Sequence, residues 1–259
     1  MDIGIDGVVI REVTINEGDK LLTVLTGSLG KITVKARGVK NIKSKNSPGT
    51  QIFCYSELEL SERSGRYTLK TASVKDSFFG IRSDIGKYAL ACYFADIVSA
   101  VTTENNDEEQ VLRLLLNALY ALSNKEIFPL WHIKGAFELK LMVLSGFMPE
   151  LFGCGMCGKD ITEQQTVLFS FREGYAVCGD CEENVKKTTG RSLPFCCQMT
   201  QPVLYAMRYV SQSEISKFLS FRLDEDTGAE FAFICENYLI NQVERSFDTL
   251  RFYKSMQNV

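Results

Sequence analysis

Histidine is almost absent from this chain of 259 residues, which contains only His132. It follows Trp131 in a helical pattern, where a single histidine is more often a structural residue than a catalyst. Metal centres built on several histidines are excluded, and a Ser-His-Asp or Cys-His arrangement would depend on this one residue. The Walker A lysine motif is also missing, and no Gly-x-Gly-x-x-Gly motif follows a predicted strand. We therefore expect a protein that is not an enzyme.

Long apolar runs are missing too, and none approaches the roughly 20 residues that span a bilayer. The first residues, Met1-Asp2-Ile3-Gly4, carry no basic and apolar signal. We expect a cytoplasmic protein with no membrane partner. The net charge of −3 and the pI near 5.5 do not by themselves favour nucleic acid. The charge is uneven, however, since residues 30–50 contain no acidic residue and six basic ones: Lys31, Lys35, Arg37, Lys40, Lys43 and Lys45.

Cysteine is plentiful, and four of the nine cysteines form two C-x-x-C pairs with twenty residues between them: Cys154 and Cys157, then Cys178 and Cys181. This spacing is typical of a zinc site. Four thiolates complete the tetrahedral shell of one zinc ion, so such a site supports folding rather than catalysis. Disulfides or a site without metal are an alternative, although an odd cysteine count in a cytoplasmic chain argues against disulfides. A redox-active pair is another, but no βαβ pattern surrounds either pair.

The first 80 residues alternate apolar and polar side chains in short segments separated by turn residues. We predict strands around residues 8–10, over 20–26, 31–37, 53–60 and 66–74. Five strands without an intervening helix favour a small barrel of the OB type, with a sandwich fragment or an SH3-like barrel as competitors. In the third strand Lys31, Lys35 and Arg37 share the outer face, and a flexible polar loop follows with the other three basic residues.

From Asp84 onward the apolar period changes to about 3.6 residues, which predicts helices. Ser83 or Asp84 is the expected N-cap of the first helix, and Asp107 with Gln110 resembles a capping box for the second. A third helix is predicted between Pro129 and Gly146, and two more follow Pro194. Between them, at about 152–184, the cysteine pairs flank a predicted hairpin that turns at 173–174.

The predicted fold class is therefore α+β and multidomain. A five-stranded OB-type β-barrel at 1–80 precedes an α-helical domain at 81–259, which carries an inserted four-cysteine knob that resembles a zinc ribbon.

Several segments in this order resemble the RecO family of bacterial recombination mediators. The similarity spans nearly the whole chain, and the ordered set is more specific than any one segment. The segments include Gly7-Val8-Val9-Ile10, Glu17-Gly18-Asp19-Lys20, residues 30–40 (GKITVKARGVK), residues 53–60, residues 78–84 (FFGIRSD), residues 137–141, Gly146-Phe147-Met148-Pro149, Cys154-Gly155-Met156-Cys157-Gly158 and Leu250-Arg251-Phe252.

The resemblance implies a DNA repair and homologous recombination mediator in the bacterial cytoplasm, associated with the nucleoid. Such a protein binds single- and double-stranded DNA and anneals complementary strands. With RecR it helps load RecA onto DNA coated by single-stranded DNA-binding protein, whose C-terminal tail is a further partner. The negative net charge of this chain departs from more basic relatives and favours DNA binding through a complex.

The six basic residues of 30–50 are the predicted DNA contacts, and we expect them to bind phosphates rather than to stack on bases. The alternatives are a solvated lysine-rich loop, a zinc-stabilised protein–protein adaptor without direct DNA binding, and a thiol-dependent enzyme that uses a C-x-x-C pair.

Overall fold

The computed structural model of this chain describes residues 1–41, 43–124, 128–162 and 164–257. The chain forms two compact units. Unit 1 consists of Met1–Ile127 and Phe247–Val259, and unit 2 of Phe128–Ser246.

Unit 1 is built on a closed barrel of five strands in the order β1-β2-β3-β5-β4. Apolar side chains alternate along each strand and fill the interior, among them Val9, Leu22, Val24, Ile32 and Val34. Every strand pair is antiparallel except β3 with β5. This topology confirms the predicted OB-type barrel. The strands are β1 (Asp2–Thr14), β2 (Lys20–Thr26), β3 (Lys31–Ala36), β4 (Tyr55–Arg63) and β5 (Arg66–Asp76).

Within the described ranges, three α-helices complete unit 1: α1 (Ile85–Val101), α2 (Glu109–Ser123) and α7 (Asp248–Gln257). Asp84 caps α1 as predicted, since its carboxylate accepts a hydrogen bond from the Lys87 N–H at 2.9 Å. The predicted capping box of α2 is wrong. Asp107 accepts from the nearby Glu109 N–H at 3.1 Å, and α2 begins after Glu108 without a side-chain cap.

The compact units differ from the predicted domains. The predicted boundary at residue 80 lies where the sequence pattern changes from strands to helices, whereas the compact units continue past it. α1 and α2 pack against the barrel, and α7 returns from the end of the chain to pack against α1. Thr249 of α7, for example, donates to the Asp96 carboxylate at 2.9 Å. Packing therefore joins distant segments that periodicity assigns to separate domains, and the boundaries 1–80 and 81–259 stay a prediction.

The described part of unit 2 contains four α-helices and a small sheet of order β7-β6-β8. Asp224 caps the longest helix by accepting from the Thr227 N–H at 2.9 Å. The sequence predicts the hairpin of β6 and β7 but not β8, which precedes the helix expected after Pro194. The elements are α3 (Leu130–Leu144), β6 (Thr166–Ser170), β7 (Ala176–Val177), α4 (Gly179–Thr189), β8 (Cys196–Thr200), α5 (Gln201–Gln212) and α6 (Glu225–Val243). Among the described residues, we find no helix whose length and apolar character would let it cross a membrane.

Candidate metal centre and nucleic-acid interface

The four cysteines of the C-x-x-C pairs meet in unit 2, with all their sulfur atoms within 4.8 Å of one another. The Sγ atoms of Cys157 and Cys178 are 3.7 Å apart. Zinc–sulfur bonds of about 2.3 Å in a tetrahedron separate the sulfurs by about 3.8 Å, so the spacing fits this geometry. The cluster could bind a metal ion, and all four residues predicted from the sequence belong to it.

The first pair lies on a tight turn that is closed by main-chain hydrogen bonds. Cys154 donates to the Lys159 oxygen at 2.8 Å, and Gly158 donates to the Cys154 oxygen at 2.8 Å. Gly158 has a φ of +74°, which favours glycine. Gly155 has another reason to lack a side chain, because an added Cβ would lie 2.3 Å from Cγ of Tyr175.

The second pair opens a helix. Cys178 is the N-cap of α4, and Cys181 lies in its first turn. The Cys178 N–H points at Cys154 Sγ, 3.3 Å away, and so joins the two pairs. The free N–H groups of a helix N-terminus favour negative charge, which suits a set of thiolates. The sequence predicts the hairpin between the pairs but not this helix start.

The thiols of the cluster differ in acidity. Burial acts to raise the pKa of Cys154, but N–H groups of Cys178, Met156 and Cys157 outweigh it and lower this pKa to about 6. Burial raises the pKa of Cys178 and of Cys181. All nine cysteines are free thiols, so the disulfide alternative has no support in the structure. A metal ion would displace the remaining protons as it binds.

Lys31, the first of the predicted DNA contacts, is occupied within unit 1. Its ammonium donates to the Ser99 main-chain oxygen at 2.5 Å, close to the C-terminus of α1. Its N–H donates to the Thr103 oxygen at 3.0 Å. The structure therefore gives Lys31 a contact with a helix end that strand periodicity does not predict.

The five other predicted contacts carry charge that no described residue neutralises by an ion pair. Arg37, Lys40, Lys43 and Lys45 are exposed, and Lys35 is partly exposed. Three lysines elsewhere on the barrel are paired with acids: Lys20 with Glu12 at 2.8 Å, Lys70 with Asp2 at 2.5 Å and Lys75 with Asp6 at 2.6 Å. We call the five residues Lys35, Arg37, Lys40, Lys43 and Lys45 the basic strip.

The loop that carries much of the basic strip is fixed at both ends, unlike the flexible loop expected from the sequence. The Gly38 N–H donates to Asp19 Oδ1 at 2.9 Å, and the Lys40 N–H donates to the Gly18 oxygen at 3.2 Å. The Gly38 N–H, followed by the Asn16 amide, lowers the pKa of the Asp19 carboxyl. Asn46 binds β5, where it donates to the Lys70 oxygen at 2.9 Å. These contacts give Lys40 a defined position.

Two arginines that the sequence reasoning missed extend this surface. Arg63 and Arg66 lie opposite each other on either side of the β4–β5 turn. The parallel register pairs Val34 of β3 with Tyr67 of β5 and thus places Arg66 beside Thr33. OB barrels commonly use this turn and the outer face of β3 to bind oligonucleotides. The signal available in the sequence is the pair of arginines that brackets Ser64-Gly65.

Comparison with known proteins assigns the N-terminal and C-terminal parts of the chain to the same family. Residues 1–78 match the family profile "Recombination protein O N terminal", and residues 82–251 match "Recombination protein O C terminal". Proteins called "DNA repair protein RecO" are similar over most of their length. The one from Acetivibrio thermocellus is 30% identical over 98% of this chain and 96% of its own. The one from Desulforamulus reducens is 27% identical over 97% and 95%.

Proposed function

Because this chain belongs to the recombination protein O family, we propose that it acts in DNA repair by binding DNA through the outer surface of its barrel. The observation that carries this proposal is the basic strip. Five cations follow β3 and its loop without an ion pair to a described residue, although the Asp19 carboxylate interacts at longer range with Lys35 and Arg37. Lys20, Lys70 and Lys75 on the same barrel are each paired with an acid. A row of cations without ion pairs suits a phosphate backbone.

Binding of this kind holds the phosphates and leaves the bases free. No aromatic residue occurs in residues 30–50, so base stacking contributes little on this surface. Two strands held by their backbones still present their base edges to each other, which annealing of complementary strands requires. The same contacts serve single- and double-stranded DNA, because phosphate contacts carry no sequence information.

Protein partners complete the proposed role. We propose that the chain works with RecR to load RecA onto single-stranded DNA, and that it binds the C-terminal tail of single-stranded DNA-binding protein. A net charge of −3 supports action within a complex, because the basic strip alone must overcome repulsion from an acidic protein. The proposed location is the bacterial cytoplasm, at the nucleoid.

The cluster of Cys154, Cys157, Cys178 and Cys181 is proposed to hold one structural zinc ion. Four sulfur donors suit zinc and leave no coordination position for substrate or water. The ion would join the first turn to the start of α4 and thus stabilise unit 2. We propose no catalytic role for it and no enzymatic activity for the protein.

The decisive test compares two double variants of the barrel in a salt series. Lys35→Gln/Lys40→Gln removes two charges of the basic strip, and Lys70→Gln/Lys75→Gln removes two paired charges from the same barrel. Fluorescence anisotropy with a labelled oligo-dT measures the affinity of each. For the first variant, the slope of log K against log salt should fall by about 1.4, since each single-strand phosphate contact contributes about 0.7. The paired control should keep the wild-type slope.

Strand annealing tests the wider role. Complementary oligonucleotides coated with single-stranded DNA-binding protein should anneal faster with wild type than with Lys35→Gln/Lys40→Gln. If the wild type binds the tail of single-stranded DNA-binding protein but no DNA at low salt, the protein is the adaptor considered above. Equal slopes for the two double variants would reject the basic strip as the DNA surface.

A further inference from the structure

Unit 2 contains a buried arginine with an unpaired N–H group, which contacts the segment before the first cysteine pair. Arg208 on α5 is only 9% exposed. Its Nε donates to the Leu151 oxygen at 2.8 Å, which ties α5 to the segment that leads into the cysteines. Its Nη2 is buried and has no hydrogen-bond partner among the described residues. A buried guanidinium with an unpaired N–H group is costly, and an anionic acceptor would remove that cost.

Two half-exposed aromatic rings flank this guanidinium. Its carbon lies 5.1 Å from the centre of the Phe152 ring and 5.6 Å from that of Tyr205. Phe152 is 47% exposed and Tyr205 is 50% exposed, although large aromatic residues usually bury more of their surface. Tyr205 and Arg208 are three residues apart on α5, so they share a face of the helix. The rings cover the guanidinium and keep part of their own surface in solvent.

Asp160 is the acid whose charge interacts with Arg208, and its carboxylate already accepts hydrogen bonds from Thr162. The pKa of the Asp160 carboxyl is lowered first by the Thr162 hydroxyl and N–H, with a smaller contribution from the charge of Arg208. Asp160 Oδ1 accepts both Thr162 donors, the N–H at 2.8 Å. Its exposed carboxylate would repel an incoming anion and compete with it for Arg208.

We propose that Arg208, Phe152 and Tyr205 form a second contact for single-stranded DNA, in which Arg208 binds a phosphate and an exposed ring stacks on a base. A guanidinium between aromatic rings offers both interactions that nonspecific single-strand sites use, namely charge for the backbone and a flat surface for a base. Phosphate binding at Nη2 requires one ring to move aside, because this nitrogen is shielded from solvent. This contact rests on the proposed DNA-binding function and adds to it, because the basic strip has no aromatic platform while this site has two.

The site also suits annealing. Annealing needs two strands on one protein, and the basic strip and the Arg208 site would each offer one single-strand contact. Stacking would favour unpaired bases at this site, since bases within a duplex do not present their faces.

Photocrosslinking of the full-length protein tests this contact directly. An oligo-dT that contains 5-iododeoxyuridine is irradiated on the protein, and crosslinked peptides are identified by mass spectrometry. We expect crosslinks to the peptides of Phe152 or Tyr205. Phe152→Leu/Tyr205→Leu keeps apolar volume without aromatic faces, so it should lose these crosslinks and about tenfold in oligo-dT affinity. Phe233→Leu, which alters a 55% exposed ring of α6, should change neither.

Two charge variants provide an independent readout. Asp160→Asn should raise oligo-dT affinity more than Asp226→Asn, which removes an exposed carboxylate from the start of α6. Only Asp160 competes for Arg208, so equal gains would indicate general repulsion and a purely structural role for the site. Arg208→Gln should lower the salt slope by about 0.7. Metal content and thermal unfolding check that Arg208→Gln keeps unit 2 folded. If this variant does not fold, the affinity of Asp160→Asn decides whether the Arg208 site binds DNA.

Failure of this contact and failure of the DNA-binding function give different results. Crosslinks confined to barrel peptides, with wild-type affinity in Phe152→Leu/Tyr205→Leu, would overturn the unit 2 contact and leave the basic strip intact. No crosslink and no binding by wild type at low salt would overturn both.

Discussion

The ammonium of Lys31 lies 2.5 Å from the main-chain oxygen of Ser99 and thereby links the first residue of β3 to the last turn of α1. A cation at a helix C-terminus interacts favourably with its unpaired carbonyls. The sequence places Lys31 in the same row as Lys35 and Arg37, but the structure gives it a partner that the basic strip lacks.

Replacement of Lys31 should therefore affect stability more than DNA affinity. We expect Lys31→Met to lower the free energy of unfolding by about 1 kcal/mol, because the helix end loses a charged hydrogen-bond donor. Urea denaturation measures this change. Lys43→Met, which removes an exposed charge without an ion-pair partner, is the control and should leave stability near that of wild type. An equal loss of stability in both variants would contradict the assigned role of Lys31.

The metal centre makes a prediction about composition and stability together. Cys157→Ser should abolish stoichiometric zinc and lower the unfolding temperature, because the proposed ion would join the turn of the first pair to α4. Cys196→Ser alters a cysteine outside the cluster and should keep one zinc per chain. Elemental analysis and calorimetry of the two proteins measure both quantities. Equal zinc content in the two variants would show that the cluster is not the metal site.

Two glycines of the first cysteine pair should respond very differently to alanine. Gly155→Ala places a Cβ 2.3 Å from Cγ of the Tyr175 ring, so the turn or the ring must move and metal binding should weaken strongly. Gly158→Ala meets no atom within 4 Å and carries only the strain of a positive φ, about 1 kcal/mol. Competition with a chromogenic chelator compares the zinc affinity of the two variants. Similar affinities would mean that the contact with Tyr175 does not shape the turn.

A buried charge cluster in unit 2 should be sensitive to the loss of its cation. The Lys134 ammonium lies 2.9 Å from Glu138 and 2.8 Å from Glu236, and all three side chains are at most 10% exposed. Lys134→Met removes the cation that contacts both buried carboxylates and should cost about 3–5 kcal/mol. Lys134→Met/Glu138→Gln/Glu236→Gln removes the charges together and should recover much of this loss. Chemical denaturation at pH 7 measures both variants.

The pH dependence of this cluster follows from the pKa of Lys134. Burial acts to lower that pKa, but the carboxylates of Glu138 and Glu236 outweigh it and raise it above its usual value. Because the pKa of Lys134 is raised in the folded state, its protonation contributes fully to stability below the unfolded-state pKa of about 10.4. This contribution is lost as the pH rises through the folded-state pKa. The difference in stability between wild type and Lys134→Met should thus stay constant from pH 7 to about pH 9. A difference that shrinks across this range would indicate that Lys134 loses its proton early.

Local sequence signals sufficed where a single element decides the outcome. The period-2 pattern of Ile32, Val34 and Ala36 predicts a strand with a buried face, and all three side chains are buried. The two C-x-x-C pairs predict a cluster, because a turn or the first turn of a helix brings the two cysteines of each pair together. The capping box at Asp107 failed for the opposite reason. Its carboxylate found a nearer N–H at Glu109, and a four-residue motif cannot distinguish the two.

What the sequence by itself determined is therefore the family, the barrel, the cysteine cluster and the position of the basic residues along the chain. Only the tertiary structure decided which charges are available, because pairing depends on side chains that are distant in sequence. Lys31 meets Ser99 and Lys70 meets Asp2, whereas Lys35 and Lys40 form no ion pair with a described residue. Arg208 likewise reads as an ordinary helix residue until folding buries it between Phe152 and Tyr205 with one N–H group unpaired.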